Sequence, residues 1–146
     1  MELNEEIVIS APRDVVYRAL NDPDILRQCI PGCEELEKIS DTEMTAKVVL
    51  KVGPVKAKFS GNVLLDPTNA PEGMSLSGEG NGGLAGFAKG GADVVLTEQD
   101  GSTLLAYTAK ADIGGKLAQL GSRLVTSTAK KLSKNFFEKF REVVTG

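Results

Sequence analysis

From Glu43 to Ile113 apolar and polar residues alternate over long stretches, the period-two signature of strands with one dry and one wet face. Met44, Ala46, Val48, Leu50 and Val52 share one side, and Glu43, Thr45, Lys47 and Lys51 the other. After a Gly53-Pro54 turn, Val55, Ala57, Phe59, Gly61, Val63 and Leu65 alternate with Lys56, Lys58, Ser60, Asn62 and Asp66. Three more strands are predicted near 74–81, 84–98 and 102–113, separated by Asn81-Gly82-Gly83 and Asp100-Gly101, both good turn chemistry. The pattern is that of an antiparallel meander. Ahead of it, residues 2–9 read as a first strand. Ser10 reads as an N-cap, with Pro12 early in a helix running to Leu20. Asn21-Asp22-Pro23 restarts the chain as a second short helix over 24–28, and Pro31-Gly32 turns it into a strand near 33–39.

Gly114-Gly115 marks a change of period to about 3.6. Residues 116–144 are predicted as one long C-terminal helix, interrupted by no glycine or proline except Gly121, with Leu117, Leu120, Leu124, Thr128, Leu132, Phe136 and Phe140 along its apolar side. The strand faces meant to receive that helix are unusual. Counting by twos from Met74 to Ala111 lands on Gly78, Gly80, Gly86, Ala88, Gly90, Ala92, Ala109 and Ala111. Bulkier residues (Phe59, Val63, Leu65, Val94, Leu96) gather elsewhere, as for a conventional core at one end. Two readings follow: the small residues let the helix approach closely, or they leave a hollow. The grading from bulky to small favours a wedge-shaped opening. Left empty, a pocket of about 300 Å³ would cost near 7 kcal/mol, comparable with total stability, so it should be wet, open or occupied. No charged side chain falls among those inward positions, so the lining suits a lipid, a quinone or an aromatic molecule.

Composition narrows the chemistry. The 146 residues suit a single domain, 41% hydrophobic and 25% charged, with a net charge of −3. Nothing there attracts nucleic acid broadly. No apolar run reaches the roughly 18 residues of a membrane span, and the acidic start from Met1 to Glu6 is unlike a basic signal-peptide end, so the expected location is cytoplasmic. The chain has no histidine, which removes the commonest general base and metal ligand, and only two cysteines. Neither metal nor triad chemistry is expected, and no cofactor.

Three motifs carry alternatives. Gly78, Gly80 and Gly83 formally match G-x-G-x-x-G, with Glu98 as the acid, but Leu84 to Leu96 alternates as a strand where a dinucleotide site needs a helix N-terminus. Cys29 and Cys33 flank a turn; they read as small, partly buried side chains in a reducing compartment, with a redox pair as the alternative that neither a histidine nor a helix N-terminus supports. Arg123, Lys130, Lys134 and Arg141 fall in a narrow arc opposite the helix's apolar side, either a solvated face or a contact for an anionic membrane or an acidic partner protein.

The order of elements is that of the helix-grip fold in the START/Bet v 1-like superfamily: an α+β arrangement in which a curved seven-stranded antiparallel sheet wraps a long C-terminal helix, with two short helices after strand 1. Particular segments go further. Asp22-Pro23, Cys29-Ile30-Pro31-Gly32-Cys33-Glu34, Val52-Gly53-Pro54-Val55 with Phe59-Ser60-Gly61, Gly83-Leu84-Ala85-Gly86, and Gly114-Gly115-Lys116-Leu117-Ala118-Gln119 through Arg123 resemble the carbon monoxide dehydrogenase G-subunit family over essentially the whole chain. The resemblance implies a non-catalytic accessory protein of a molybdenum-hydroxylase complex, one that recruits the enzyme to the membrane or carries a hydrophobic molecule such as a quinone. Several members have a C-terminal extension that contacts the membrane; this sequence stops at Gly146, so the membrane contact expected here is peripheral.

Two functions of different class are therefore weighed. A hydrophobic-ligand carrier would use Phe59, Leu76, Gly78, Gly80, Gly86, Ala88, Tyr107, Ala109 and Ala111 on the strands and Leu117, Leu120, Leu124 and Thr128 on the helix, with Leu120 and Leu124 as the lid. A cavity enzyme of the polyketide cyclase/dehydrase kind, which the same fold can host, would need an inward acid, tyrosine or arginine, and Tyr107 is the candidate on the late strands.

Overall fold

A computed structural model of the chain describes residues 1–145. Its elements are β1 (Glu2–Ile9), α1 (Arg13–Leu20), α2 (Pro23–Cys29), β2 (Cys33–Ser40), β3 (Glu43–Val52), β4 (Val55–Asp66), β5 (Gly73–Asn81), β6 (Phe87–Gln99), β7 (Ser102–Gly114), α3 (Lys116–Gln119) and α4 (Ser122–Thr145), with a single 3₁₀ turn at Gly83–Ala85 before β6. The seven strands form one antiparallel sheet in the order β1-β7-β6-β5-β4-β3-β2. Consecutive hairpins build β2 through β7, and β1 closes the far side by pairing with β7, Leu3 opposite Ala109 and Ile9 opposite Thr103.

Three local expectations are corrected, at α1, at the start of β6 and in the C-terminal helix, and one cap not foreseen is added at α2. Ser10 does not cap α1: Pro12 occupies that position with no side-chain bond, its fixed φ already suited to the helix start. At α2 the cap is Asp22, whose carboxylate accepts from the Asp24 amide at 2.9 Å with Pro23 at the first position. Residues 84–86 do not belong to β6, because Gly83 and Gly86 take φ of +63° and +116° and hold a tight turn there. The C-terminal helix is two helices, broken at Leu120-Gly121, where Gly121 takes a φ of +94° that glycine alone adopts readily.

Register explains where the core sits. Each cross-strand row of inward residues can be followed from β1 or β7 toward β3. Leu105 and Leu96 make one row with Ile7; Tyr107, Val94 and Met74 make the next with Glu5. Then come Ala109, Ala92 and Leu76 with Leu3, then Ala111, Gly90 and Gly78 with Val63, then Ile113, Ala88, Gly80 and Gly61 with Ala46. Bulk falls away row by row. At the bulky end Ile9, Val16, Leu105 and Phe140 are fully buried where α1 and the C-terminal turns of α4 pack on the sheet, and the Thr103 hydroxyl donates to the Ala11 carbonyl at 2.8 Å. Phe59 is not part of this core. It lies at the opposite end, its ring against Gly82, where an added Cβ would come within 2.5 Å of it.

Candidate functional site

The rows of small residues do not meet a helix. Between them and α4 lies a cavity of about 600 Å³. The floor is the inward face of β5, β6 and β7 (Leu76, Gly78, Gly80, Ala88, Gly90, Ala92, Ala109, Ala111, Ile113). One wall is Ala46, Val48, Leu50 and Val52 of β3 with Phe59 and Val63 of β4, and the roof is Leu117 of α3 with Val125, Thr128, Ala129, Leu132, Ser133 and Phe136 of α4. Ile30 and Pro31, between α2 and β2, close one side. Glu79, Lys89 and Lys110 border the space as well, but they alternate onto the exposed outer face of the sheet. Asn62 borders the space from β4 as well, alternating with inward Gly61 and Val63, and the hydroxyls on the inward side are those of Thr128 and Ser133.

Not every glycine in the floor is there to make room. A Cβ on Gly80 would have only Phe59 Cβ within 4 Å, at 4.0 Å, so this position is open space. A Cβ on Gly90 would sit 2.0 Å from the Lys110 carbonyl oxygen, and one on Gly78 would sit 2.8 Å from that of Asn62. At those two positions the strands crowd together as the sheet curves, so close backbone approach and hollow coexist in one face.

Nine of the thirteen positions expected to touch a ligand lie in this lining: Phe59, Leu76, Gly78, Gly80, Ala88, Ala109, Ala111, Leu117 and Thr128. Four lie elsewhere. Gly86 is a backbone hinge in the turn before β6, where an added Cβ would be 2.0 Å from the Gly114 carbonyl oxygen. The break at Gly121 resets the helical phase, which takes Leu120 out of the lining and turns Leu124 onto the β3–β4 turn, 2.8 Å from where a Cβ on Gly53 would be. In their place α4 presents the i, i+3, i+4 series beginning at Val125. Tyr107 points inward as its register demands, but its ring stacks on Phe137 with centroids 5.4 Å apart. The Tyr107 hydroxyl donates to Glu5 Oε2 at 2.9 Å and is hydrogen-bonded to Ser133 Oγ.

Sequence reasoning missed the β3 wall and Glu5, although a signal for both exists: period two puts Met44 to Val52 on the inner side, and on β1 it puts Glu5 in phase with Leu3 and Ile7. Burial is the largest influence on the Tyr107 phenol and pushes it above its ordinary value, aided by the Glu5 carboxylate and opposed by the bond to Ser133. Burial likewise raises the Cys29 and Cys33 thiols, so neither is activated as a nucleophile. Both are free. Among the described residues no group of three or more His, Cys, Asp or Glu side chains could hold a metal ion, and no helix is long and apolar enough to cross a membrane. Arg123, Lys130, Lys134 and Arg141 lie on α4 away from the lining. Lys134 is 4.0 Å from Glu138, and Arg141 Nε donates to the Val8 carbonyl at 3.0 Å, tying the end of α4 to β1.

Comparison with known proteins fits this geometry. The family model of the carbon monoxide dehydrogenase G-subunit (CoxG) matches residues 6–145. A conserved protein from Geobacillus kaustophilus superposes with a TM-score of 0.92 at 32% identity, over 99% of this chain and 95% of that one. The Zhui aromatase/cyclase from Streptomyces sp. R1128 superposes at 0.73 with 11% identity, over 99% and 93% of the two chains. A STAR-related lipid transfer protein from Xanthomonas axonopodis gives 0.66 with 17% identity over 99% and 86%. The last two establish the fold alone, which is START/Bet v 1-like. No curated protein matches the sequence significantly.

Proposed function

The chain belongs to the carbon monoxide dehydrogenase G-subunit (CoxG) family, and from that premise we propose that it is a non-catalytic binding protein for an apolar, lipid- or quinone-like molecule, serving a molybdenum-hydroxylase-type oxidoreductase. The observation that carries the reading is the cavity. Kept dry and closed, about 600 Å³ at about 24 cal/mol per Å³ would cost on the order of 14 kcal/mol, as much as a whole domain's stability. A lining made of Ala, Val, Leu, Ile and Phe side chains holds water poorly. An apolar guest removes both penalties at once. The cyclase alternative has less behind it, since the tyrosine it depends on is stacked, bonded at its hydroxyl and outside the lining. Access to an anionic membrane surface, or to an acidic face of the partner enzyme, falls to Arg123, Lys130 and Lys134, with Arg141 the least free of the four.

Native mass spectrometry of protein from its own host, followed by organic extraction, should recover a bound apolar molecule. Ala109→Phe should then fill the floor, abolish binding of an apolar dye such as Nile red, and change stability by no more than about 1 kcal/mol. A loss of several kcal/mol with dye binding retained would mean that the helix and sheet are already in contact there.

A further inference from the structure

Ser133 is where the cavity meets a polar chain, and the direction of that chain can be deduced. Glu5 stands on β1, Tyr107 opposite it on β7 and Ser133 above them on α4; the Tyr107 hydroxyl bridges the other two. A carboxylate has acceptors only, so the proton between Glu5 and Tyr107 belongs to the phenol. A phenol has one proton. The proton between Tyr107 and Ser133 must therefore come from Ser133, and the chain runs Ser133 to Tyr107 to Glu5. Ser133 lines the cavity, and with its proton committed its Oγ has lone pairs to offer there and no free donor. Thr128 also lines the space, one helical turn and a residue away, and takes part in no such chain.

Resting on the proposed role as an apolar-ligand carrier, we infer that Ser133 is a specificity-determining residue that selects apolar ligands bearing a hydroxyl: phenols, alcohols or hydroquinones, in preference to ethers, ketones or quinones of the same shape. Desolvating a ligand hydroxyl in this lining is unfavourable unless an acceptor meets it, and Ser133 supplies one. A ligand carbonyl or ether oxygen would confront another acceptor. A carboxylate ligand would be disfavoured further, since no lysine or arginine side chain lines the space from within and Glu5 lies behind Ser133; the Met1 ammonium, which borders the space, donates to the Ala111 carbonyl at 3.1 Å.

The test uses a matched pair that differs only in the donor, 4-octylphenol and its methyl ether, titrated calorimetrically into the full chain. The phenol should bind about tenfold more tightly, the effect of one hydrogen bond in a dry site. Ser133→Ala should bring that ratio close to one while the ether's affinity stays within about twofold. Tyr107→Phe keeps the ring that stacks on Phe137 but frees the serine proton, and Glu5→Gln supplies an amide that can donate to Tyr107 and reverse the chain. In both variants the ratio should fall and 4-octylacetophenone, an acceptor ligand, should gain. Equal binding of phenol and ether to the unaltered protein overturns the inference and leaves the carrier reading standing, as does a tenfold ratio that survives Ser133→Ala. Failure of both ligands and of Nile red to bind overturns the carrier reading and this inference with it.

Discussion

The two ends of the sheet are built on the same register and the same alternation, yet one is packed solid and the other is hollow. At the packed end the inward rows are Ile7, Leu105 and Leu96, then Glu5, Tyr107, Val94 and Met74. Four residues further along β7 the row is Ala111, Gly90 and Gly78. The backbone ladder is continuous across both, with Gly90 paired to Ala111 just as Leu96 is paired to Leu105. The sheet's hydrogen bonds and the packing of one end thus hold the frame, and the other end is free to be unfilled. A cavity of this size is tolerable because the fully buried side chains of Ile9, Val16, Leu96, Leu105 and Phe140 are concentrated away from it.

The contrast can be broken first at the packed end. Leu105→Ala removes a side chain with no exposure and should cost about 2–5 kcal/mol, read from the midpoint of denaturant unfolding. Leu50→Ala removes the same atoms from the cavity wall, where a larger opening replaces no lost packing partner, and should cost about 1 kcal/mol. Equal losses would mean the cavity wall is as tightly packed as the core.

The glycines sharpen it next. Gly86 has φ of +116° and ψ of −156°, a region essentially restricted to glycine, and faces the Gly114 carbonyl, so Gly86→Ala should cost about 3 kcal/mol or more. Gly80→Ala adds the same methyl to open space and should be neutral or stabilising by up to about 1 kcal/mol, since it also restricts the unfolded chain. Thermal unfolding of the two variants side by side separates small residues needed by the backbone from those that leave room. Similar melting temperatures would erase that distinction.

The same distinction marks what can be read from the sequence. The strands are legible to within a residue or so, except at the start of β6, because period two and the Gly-Pro, Asn-Gly and Asp-Gly turns are local signals. The hollow is legible too, as a run of small residues on one face. What is not legible depends on φ and on contacts distant in sequence. Gly86 reads like any other small inward residue until its positive φ is known. Gly121 reads as a tolerated helix glycine until it breaks the helix and shifts the facing series from Leu120 and Leu124 to Val125, Ala129 and Ser133. Tyr107 has the right phase for the cavity, but Phe137, Glu5 and Ser133, which occupy its ring and hydroxyl, lie on two other elements.

Tyr107 stands in the last row of the packed end, and the smallest expected effect tests whether that boundary is closed to water. Its phenol is raised above the ordinary value of about 10, chiefly by burial. A raised value means the folded protein holds this proton more tightly than the unfolded chain does. The stability it contributes is therefore fully present below about pH 10 and is lost as the pH climbs through the raised value, with a slope no steeper than one proton's worth, about 1.4 kcal/mol per pH unit. Tyr107→Phe lacks that titration. At neutral pH the variant should be the less stable, because it gives up the bonds to Glu5 and Ser133, and the gap should narrow from about pH 10 upward. The Cys29 and Cys33 thiols, also raised by burial, titrate in both proteins and cancel from the difference. A gap that stays constant from about pH 9 to about pH 11, in paired unfolding curves at about half-unit steps, would place the phenol in contact with solvent. The packed end would then stop one row short of Tyr107.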